Sequence, residues 1–149
     1  MDEMLASSPR TAMDEAFLMS AQLSDLMERG VKELGLTSIR ARMLHAIFHL
    51  GPVRQRQISD AMGCSAQQVA AVLDVLGQKG LIERHPDPTD RRAHLVSLTE
   101  TGTDLAAQIE SHRTTAAEWL LKDVSPENLE AFVSVTRHIR RLTVLPPSV

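Results

Sequence analysis

Only one cysteine, Cys64, occurs in the chain, so no disulfide forms within it, a usage that fits a reducing compartment. Long apolar runs are also missing. Nothing approaches the roughly 20 residues that a bilayer-crossing helix needs, and the opening MDEMLASSPR carries two acids where a secretory leader has basic residues. A cytoplasmic protein with no membrane partner is expected. There is no glycine-rich phosphate loop, no Gly-x-Ser-x-Gly elbow, no Cys–His pair close in sequence, no internal repeat and no low-complexity tract. An enzyme is therefore not expected, and no cofactor is implied.

What is present is the composition of an ordinary folded domain: 43% hydrophobic and 23% charged residues, which exclude disorder of the whole chain. The net charge of −3 argues against indiscriminate coating of nucleic acid, and its distribution matters more than its sum. Residues 1–35 hold three basic against seven acidic side chains, and residues 97–149 hold five against seven. Between them, residues 36–52 are +2 and residues 53–96 are +1. The ends are acidic and the middle is mildly basic.

Periodicity divides the chain into six helices and a hairpin. Met13, Phe17, Leu23, Leu26, Met27, Val31 and Leu34 recur at helical spacing from about Pro9, and Gly35 stops that helix. Thr37 is positioned to cap a second helix bearing Met43, Leu44, Ile47, Phe48 and Leu50, closed by Gly51-Pro52. A short third helix, about Arg54 to Met62, offers Ile58, Ala61 and Met62 to a core, and Gly63 makes the turn. Ser65 caps a fourth, in which Val69, Val72, Leu73 and Leu76 form a buried stripe while Gln67, Gln68, Ala71 and Val75 face outward. Gly80 closes it. The runs LIERH and AHLVSL then shift to extended character around a Pro- and Asp-rich turn, which predicts a small antiparallel hairpin. Thr99 caps a fifth helix reaching about Leu121. Ser125-Pro126 starts a sixth, with Leu129, Phe132, Val135, Ile139 and Leu142 on its apolar side and Pro146-Pro147 at its end.

Helices two to four followed by a hairpin make a winged helix-turn-helix. The expected fold is mainly α with a small β-hairpin: residues 1–35 and 99–149 supply dimerisation helices, and residues 36–98 the winged domain. In PDPTDRRAHLVSLTETG, Arg91 and Arg92 stand side by side at the wing tip. Two adjacent cations repel unless something negative neutralises them, and a DNA minor groove or its phosphates would do so. Asp90 is placed to orient one guanidinium by accepting its planar fork.

These residues carry a resemblance. GLIERHPDPTDRRAHLVSLTETG, Gly80 to Gly102, resembles the wing of the MarR family of bacterial transcriptional regulators, with its Asp-x-Arg core and the Leu-Thr-x-x-Gly that opens the next helix. QISDAMGCSAQQVAAVLDVLGQKG agrees with it in register. The resemblance implies a homodimer whose first, fifth and sixth helices interlock and whose winged domains address neighbouring grooves of a pseudo-palindromic operator in double-stranded DNA. By position Gln67 and Gln68 match the start of the recognition helix, with Ala71 on the same face, and Arg92 matches the minor-groove arginine. Arg91, Arg84, Ser65, Arg54 and Arg56 are phosphate candidates. A small aromatic effector is also implied, with Phe17, Met43, His45 and Trp119 bordering its site. The chain departs from the family in one respect: no Lys or Arg lies between Ser65 and Gln78. Base readout is then expected to lean on glutamine, thymine-methyl packing and groove shape. This departure also keeps an alternative open, a winged-helix protein-interaction module that no longer binds DNA.

His45 and His49 in HAIFH lie one turn apart and have chelating spacing, but Ala46 stands where a zinc protease needs its glutamate. The spacing alone is read as two ordinary helix histidines and no metal site. Cys64 is read as a small buried hydrophobe in the helix-turn-helix turn rather than a redox sensor. His85 and His94 flank the wing as spectators.

Overall fold

The computed structural model describes residues 8–143. In chain order the elements are α1 (Pro9–Glu33), α2 (Ser38–Leu50), β1 (Val53–Arg54), α3 (Gln55–Met62), α4 (Ala66–Gln78), β2 (Ile82–Asp87), β3 (Asp90–Leu98), α5 (Glu100–Leu121) and α6 (Pro126–Thr143). The chain is mainly α with a small antiparallel sheet, a winged helix-turn-helix. It divides into two compact units after His112, within α5. Pro146-Pro147, the expected end of the last helix, lies outside the described residues.

Caps set the starts of α1 and α4, whereas Thr37, expected to cap α2, occupies the N-cap position without a side-chain cap hydrogen bond. The Ser8 hydroxyl accepts the Thr11 backbone N–H, and Pro9, which has no N–H to lose, occupies the first position of α1. At α4 the cap is reciprocal: the Ser65 hydroxyl accepts from the Gln68 backbone N–H at 3.2 Å, and Gln68 Oε1 accepts from the Ser65 N–H at 3.2 Å. The helix runs to Gln78, and beyond it Gly80 has a φ of +68°, the left-handed conformation that lets the Leu81 N–H return to the Leu76 carbonyl at 3.0 Å. The turn aims Leu81 and Ile82 directly into the core.

That core belongs to the first unit. Met43, Leu44 and Ile47 of α2, Ile58 of α3, and Val69, Leu73 and Leu76 of α4 are fully buried, and Val53, Leu81, Ile82, Val96 and Ile109 close around them. The α4 stripe is the one its spacing predicts, with Val72 only partly buried at its edge. Ala61 is exposed, against the expectation that it faces the core with Ile58. An eight-residue helix docks through one turn, and Ile58 and the half-buried Met62, four residues apart, fill that contact.

The hairpin is longer than its apolar runs imply. β2 and β3 extend to Asp87 and Asp90, so Arg91 and Arg92 are strand residues beside the turn rather than loop residues. Their register pairs Ile82 with Leu98, Arg84 with Val96 and Pro86 with His94, with an irregularity after Pro86. Pro86 is tolerated because β2 is an edge strand in the order β1-β3-β2. The third strand adds to the expected hairpin. β1 is two residues long and exists because Val53 and Arg54 pair with Val96 and Leu95, a partnership no local signal announces.

Where α5 begins, the chain crosses itself closely. The Thr99 hydroxyl donates to the Gly80 carbonyl at 2.7 Å and accepts from the Gly102 N–H at 3.0 Å, and the Thr99 N–H reaches the Leu81 carbonyl at 3.1 Å. Buried Gly102 rests against the Leu81 carbonyl so tightly that an added Cβ would overlap it. The Leu-Thr-x-x-Gly run is therefore a staple that ties α5 to the junction between α4 and the wing.

In the second unit, α6 buries none of its residues: Phe132, Val133, Val135 and Leu142 are exposed, as are Trp119, Leu120 and Leu121 in the last turn of α5. α1, in the first unit, likewise leaves Met13, Phe17, Leu18, Leu23, Leu26 and Met27 exposed and buries only Val31. Among the described residues, no helix is long and apolar enough to cross a membrane.

Candidate nucleic-acid interface

Two surfaces of the first unit bring together the polar residues singled out from sequence. The first is the start of α4. Gln67, Gln68 and Ala71 are exposed and Val75 is partly so, which is the outward face expected of them. Gln68 also closes the Ser65 cap through its Oε1, which accepts from the Ser65 hydroxyl at 3.3 Å as well as from the N–H. Gln67 therefore has the freer carboxamide of the two, and it shares a helix face with Ala71 one turn on.

The same face carries an acid. Asp74 lies one turn beyond Ala71, and the Arg84 guanidinium donates to its Oδ1 at 2.7 Å. Arg84 thus cancels a negative charge that would otherwise oppose a polyanion, and joins β2 to α4 as it does so. With both side chains about half exposed, the pair adds little to stability.

The second surface is the wing. Arg91 and Arg92 are exposed, and among the described residues neither forms an ion pair. Asp90 accepts the Arg92 backbone N–H at 3.0 Å rather than a guanidinium fork, because a short carboxylate at a turn meets the N–H two residues on before it can reach a long side chain. The effect is still preorganisation, but of the backbone that carries Arg92.

Arg54 faces inward. Its Nε and Nη2 both lie 2.6 Å from Asp87 Oδ2, and Nη2 lies 3.2 Å from the Thr89 hydroxyl. Asp87 Oδ1 in turn accepts the Thr89 N–H at 2.8 Å and the Thr89 hydroxyl at 2.7 Å. The buried Asp87 side chain is 5% exposed, so both its oxygens are matched by donors and the wing turn is latched to the N-cap of α3. Sequence reasoning misses this latch. Asp-Pro-Thr is a turn signature that marks Asp87 as an acceptor of the Thr89 N–H, but nothing local couples it to Arg54.

The Thr89 N–H, then the Thr89 hydroxyl, then Arg54 outweigh burial and hold the Asp87 carboxyl at about 2, below its ordinary 3.8. A depressed pKa means the ionised latch favours the folded wing at pH 4 and above, and that this contribution is lost as pH falls through about 2. Hydrogen exchange of the Thr89 amide should accordingly accelerate between pH 4 and pH 2 beyond the intrinsic pH effect. Asp87→Asn should show fast exchange already at pH 6, and equal protection in the two proteins at that pH would refute the latch.

The remaining candidates have simpler surroundings. Arg56 is exposed near the start of α3 with no ion pair among the described residues. Ser65 is a cap. Cys64 is half buried, packs beside the core, and lies 3.7 Å from the Met62 carbonyl. His85 meets the Ser97 hydroxyl at 2.7 Å across the hairpin. Of the residues assigned to an effector site, Phe17 is 67% exposed on α1, Met43 is fully buried, and Trp119 is 68% exposed on α5. His45 touches Glu110, whose carboxyl is lowered first by its hydrogen bond to His49, then by the nearby imidazole charges, against burial.

A model of the MarR family matches residues 34–93, from the end of α1 through the wing turn. Among solved structures, a DNA complex of MepR from Staphylococcus aureus superposes with a TM-score of 0.75 at 19% identity, covering 91% of this chain and 96% of that one. The transcriptional regulator SlyA gives 0.77 at 17%, covering 89% and 93%. Wild-type MarR from E. coli gives 0.70 at 20%, covering 89% and 95%. At these identities the structures establish the fold.

Proposed function

We propose that this chain, whose residues 34–93 match a model of the MarR family, is a DNA-binding transcriptional regulator of that family and not an enzyme. It acts as a homodimeric repressor on a pseudo-palindromic operator. One observation carries the reading: Arg91 and Arg92, consecutive on β3 beside the wing turn, stand exposed and, among the described residues, without an ion pair, on a wing whose turn is latched from inside. Exposed cations on a wing are suited to neutralisation by an external polyanion such as DNA phosphates. The exposed start of α4, with Gln67 and Ala71, supports insertion into an adjoining major groove, where a glutamine amide matches an adenine edge and an alanine methyl meets a thymine methyl.

Dimerisation is supported by what each unit leaves in water. An 18-residue helix with no buried residue and a row of exposed apolar side chains along α1 are more than a soluble monomer keeps exposed. Regulation then means that an effector, a small aromatic molecule by the family pattern, favours a spacing of the two recognition helices that no longer fits successive grooves.

The test is capture of genomic fragments on the purified protein, beginning with its own upstream region, followed by titration of the recovered duplex at several salt concentrations. The logarithm of affinity should fall linearly with the logarithm of salt, with a slope of about −4 or steeper for a dimer that neutralises several phosphates. Failure to recover a saturable duplex would end the reading. A salt-insensitive protein partner would favour the interaction-module alternative, which draws on the absence of basic residues from Ser65 to Gln78 and on the internal pairing of Arg54 and Arg84.

A further inference from the structure

Away from the wing, three metal-ligating side chains converge. His45 and His49 lie one turn apart on α2 and so share a face, and Glu110 reaches them from α5. The two Nε2 atoms are 3.1 Å apart, and Glu110 Oε2 lies 2.9 Å from His45 Nε2 and 3.3 Å from His49 Nε2. The side chains grade from 26% exposed at His45 to 39% at Glu110 and 51% at His49, so the cluster has a protein wall behind it and water in front.

Protons do not fully account for this triangle. A neutral imidazole carries one N–H and an ionised carboxylate carries none, so at most two of the three contacts are hydrogen bonds. If both rings hold the proton on Nε2, both donate to one oxygen and the N–H groups crowd each other. If one does not, its lone pair faces another acceptor. A cation above the triangle would accept a lone pair from all three atoms. With bonds of about 2.0–2.1 Å, donors at these separations subtend roughly 90–107° at the metal, within the range of a three-ligand site that keeps open positions for water.

We propose that His45, His49 and Glu110 form a binding site for a first-row divalent cation of the zinc class, cross-linking α2 to α5. The two-imidazole, one-carboxylate set suits such a metal better than Mg²⁺ or Ca²⁺, which favour all-oxygen shells. The site binds and does not hydrolyse, since Ala46 occupies the place of a general base. Sequence spacing leaves the two histidines as ordinary helix residues because Glu110, the third ligand, is 61 residues from His49. The site stands whether or not the chain binds DNA.

The experiment is calorimetric titration of the full chain with Zn²⁺ in a non-chelating buffer, with Co²⁺ as a spectroscopic probe. One equivalent per chain should bind, and Zn²⁺ should raise the unfolding temperature, because it binds the folded state alone. His49→Ala and Glu110→Gln should each weaken binding at least about tenfold and remove the thermal shift. Both side chains are partly exposed, so the metal-free variants should unfold at wild-type temperatures, and Glu110→Asp should recover part of the affinity. Co²⁺ should give visible d–d bands without a thiolate charge-transfer band. Absence of saturable binding, full affinity in both variants, or a thiolate band placing the metal on Cys64 would each overturn the assignment.

Discussion

Gly102→Ala should destabilise the protein by about 3 kcal/mol, the scale of a side chain forced into a filled interior. Helix propensity alone gives the opposite sign. Alanine is the better helix former, and on that count this change within α5 would stabilise by up to about 1 kcal/mol. Here the added methyl has no space, because the Leu81 carbonyl already occupies it and that carbonyl is held by the Thr99 N–H. Relief requires α5 to lift from the junction, which breaks the Thr99 staple to Gly80 and Gly102 as well. Urea denaturation at one fixed protein concentration measures the change. Thr101→Ala, at an exposed neighbour, should stay within about 0.5 kcal/mol. A wild-type midpoint for Gly102→Ala would mean that α5 does not approach Leu81 in solution.

Arg92→Ala should weaken operator binding by about 10- to 100-fold for each wing, since a specific arginine contact is worth roughly 1–3 kcal/mol and 1.4 kcal/mol is tenfold. In a dimer the loss occurs twice, so the combined effect is on the order of 10²- to 10⁴-fold. The substitution touches no core residue and no ion pair among the described residues, so folding should be unaffected. Fluorescence anisotropy with the captured duplex reads the affinity. Arg92→Lys separates two explanations, because it keeps the charge but loses the planar fork. Recovery by lysine would assign Arg92 to phosphate neutralisation, and continued loss would assign it to a narrow groove. Wild-type affinity in Arg92→Ala would remove the wing from the mechanism.

Arg84→Ala makes a useful comparison within the same assay. Its guanidinium is committed to Asp74, so its removal leaves an unpaired acid on the outward face of α4 rather than simply deleting a cation. Arg54 and Arg84, which pair with acids brought to them by the fold, are indistinguishable in sequence from Arg91 and Arg92, which form no ion pair among the described residues.

Short-range chemistry was legible from the chain alone. The helix limits, the Ser65 cap, the buried stripe of Val69, Leu73 and Leu76 and the turn at Gly80 each depend on residues within a few positions, and side chains at that range meet whatever the rest of the fold does. Tertiary structure decided every partnership across a distance: β1 with β3, Arg54 with Asp87, Arg84 with Asp74, Gly102 with Leu81, and Glu110 with His45 and His49. A charge or a lone pair is selected by the nearest complementary atom, and only packing determines which distant residue supplies it.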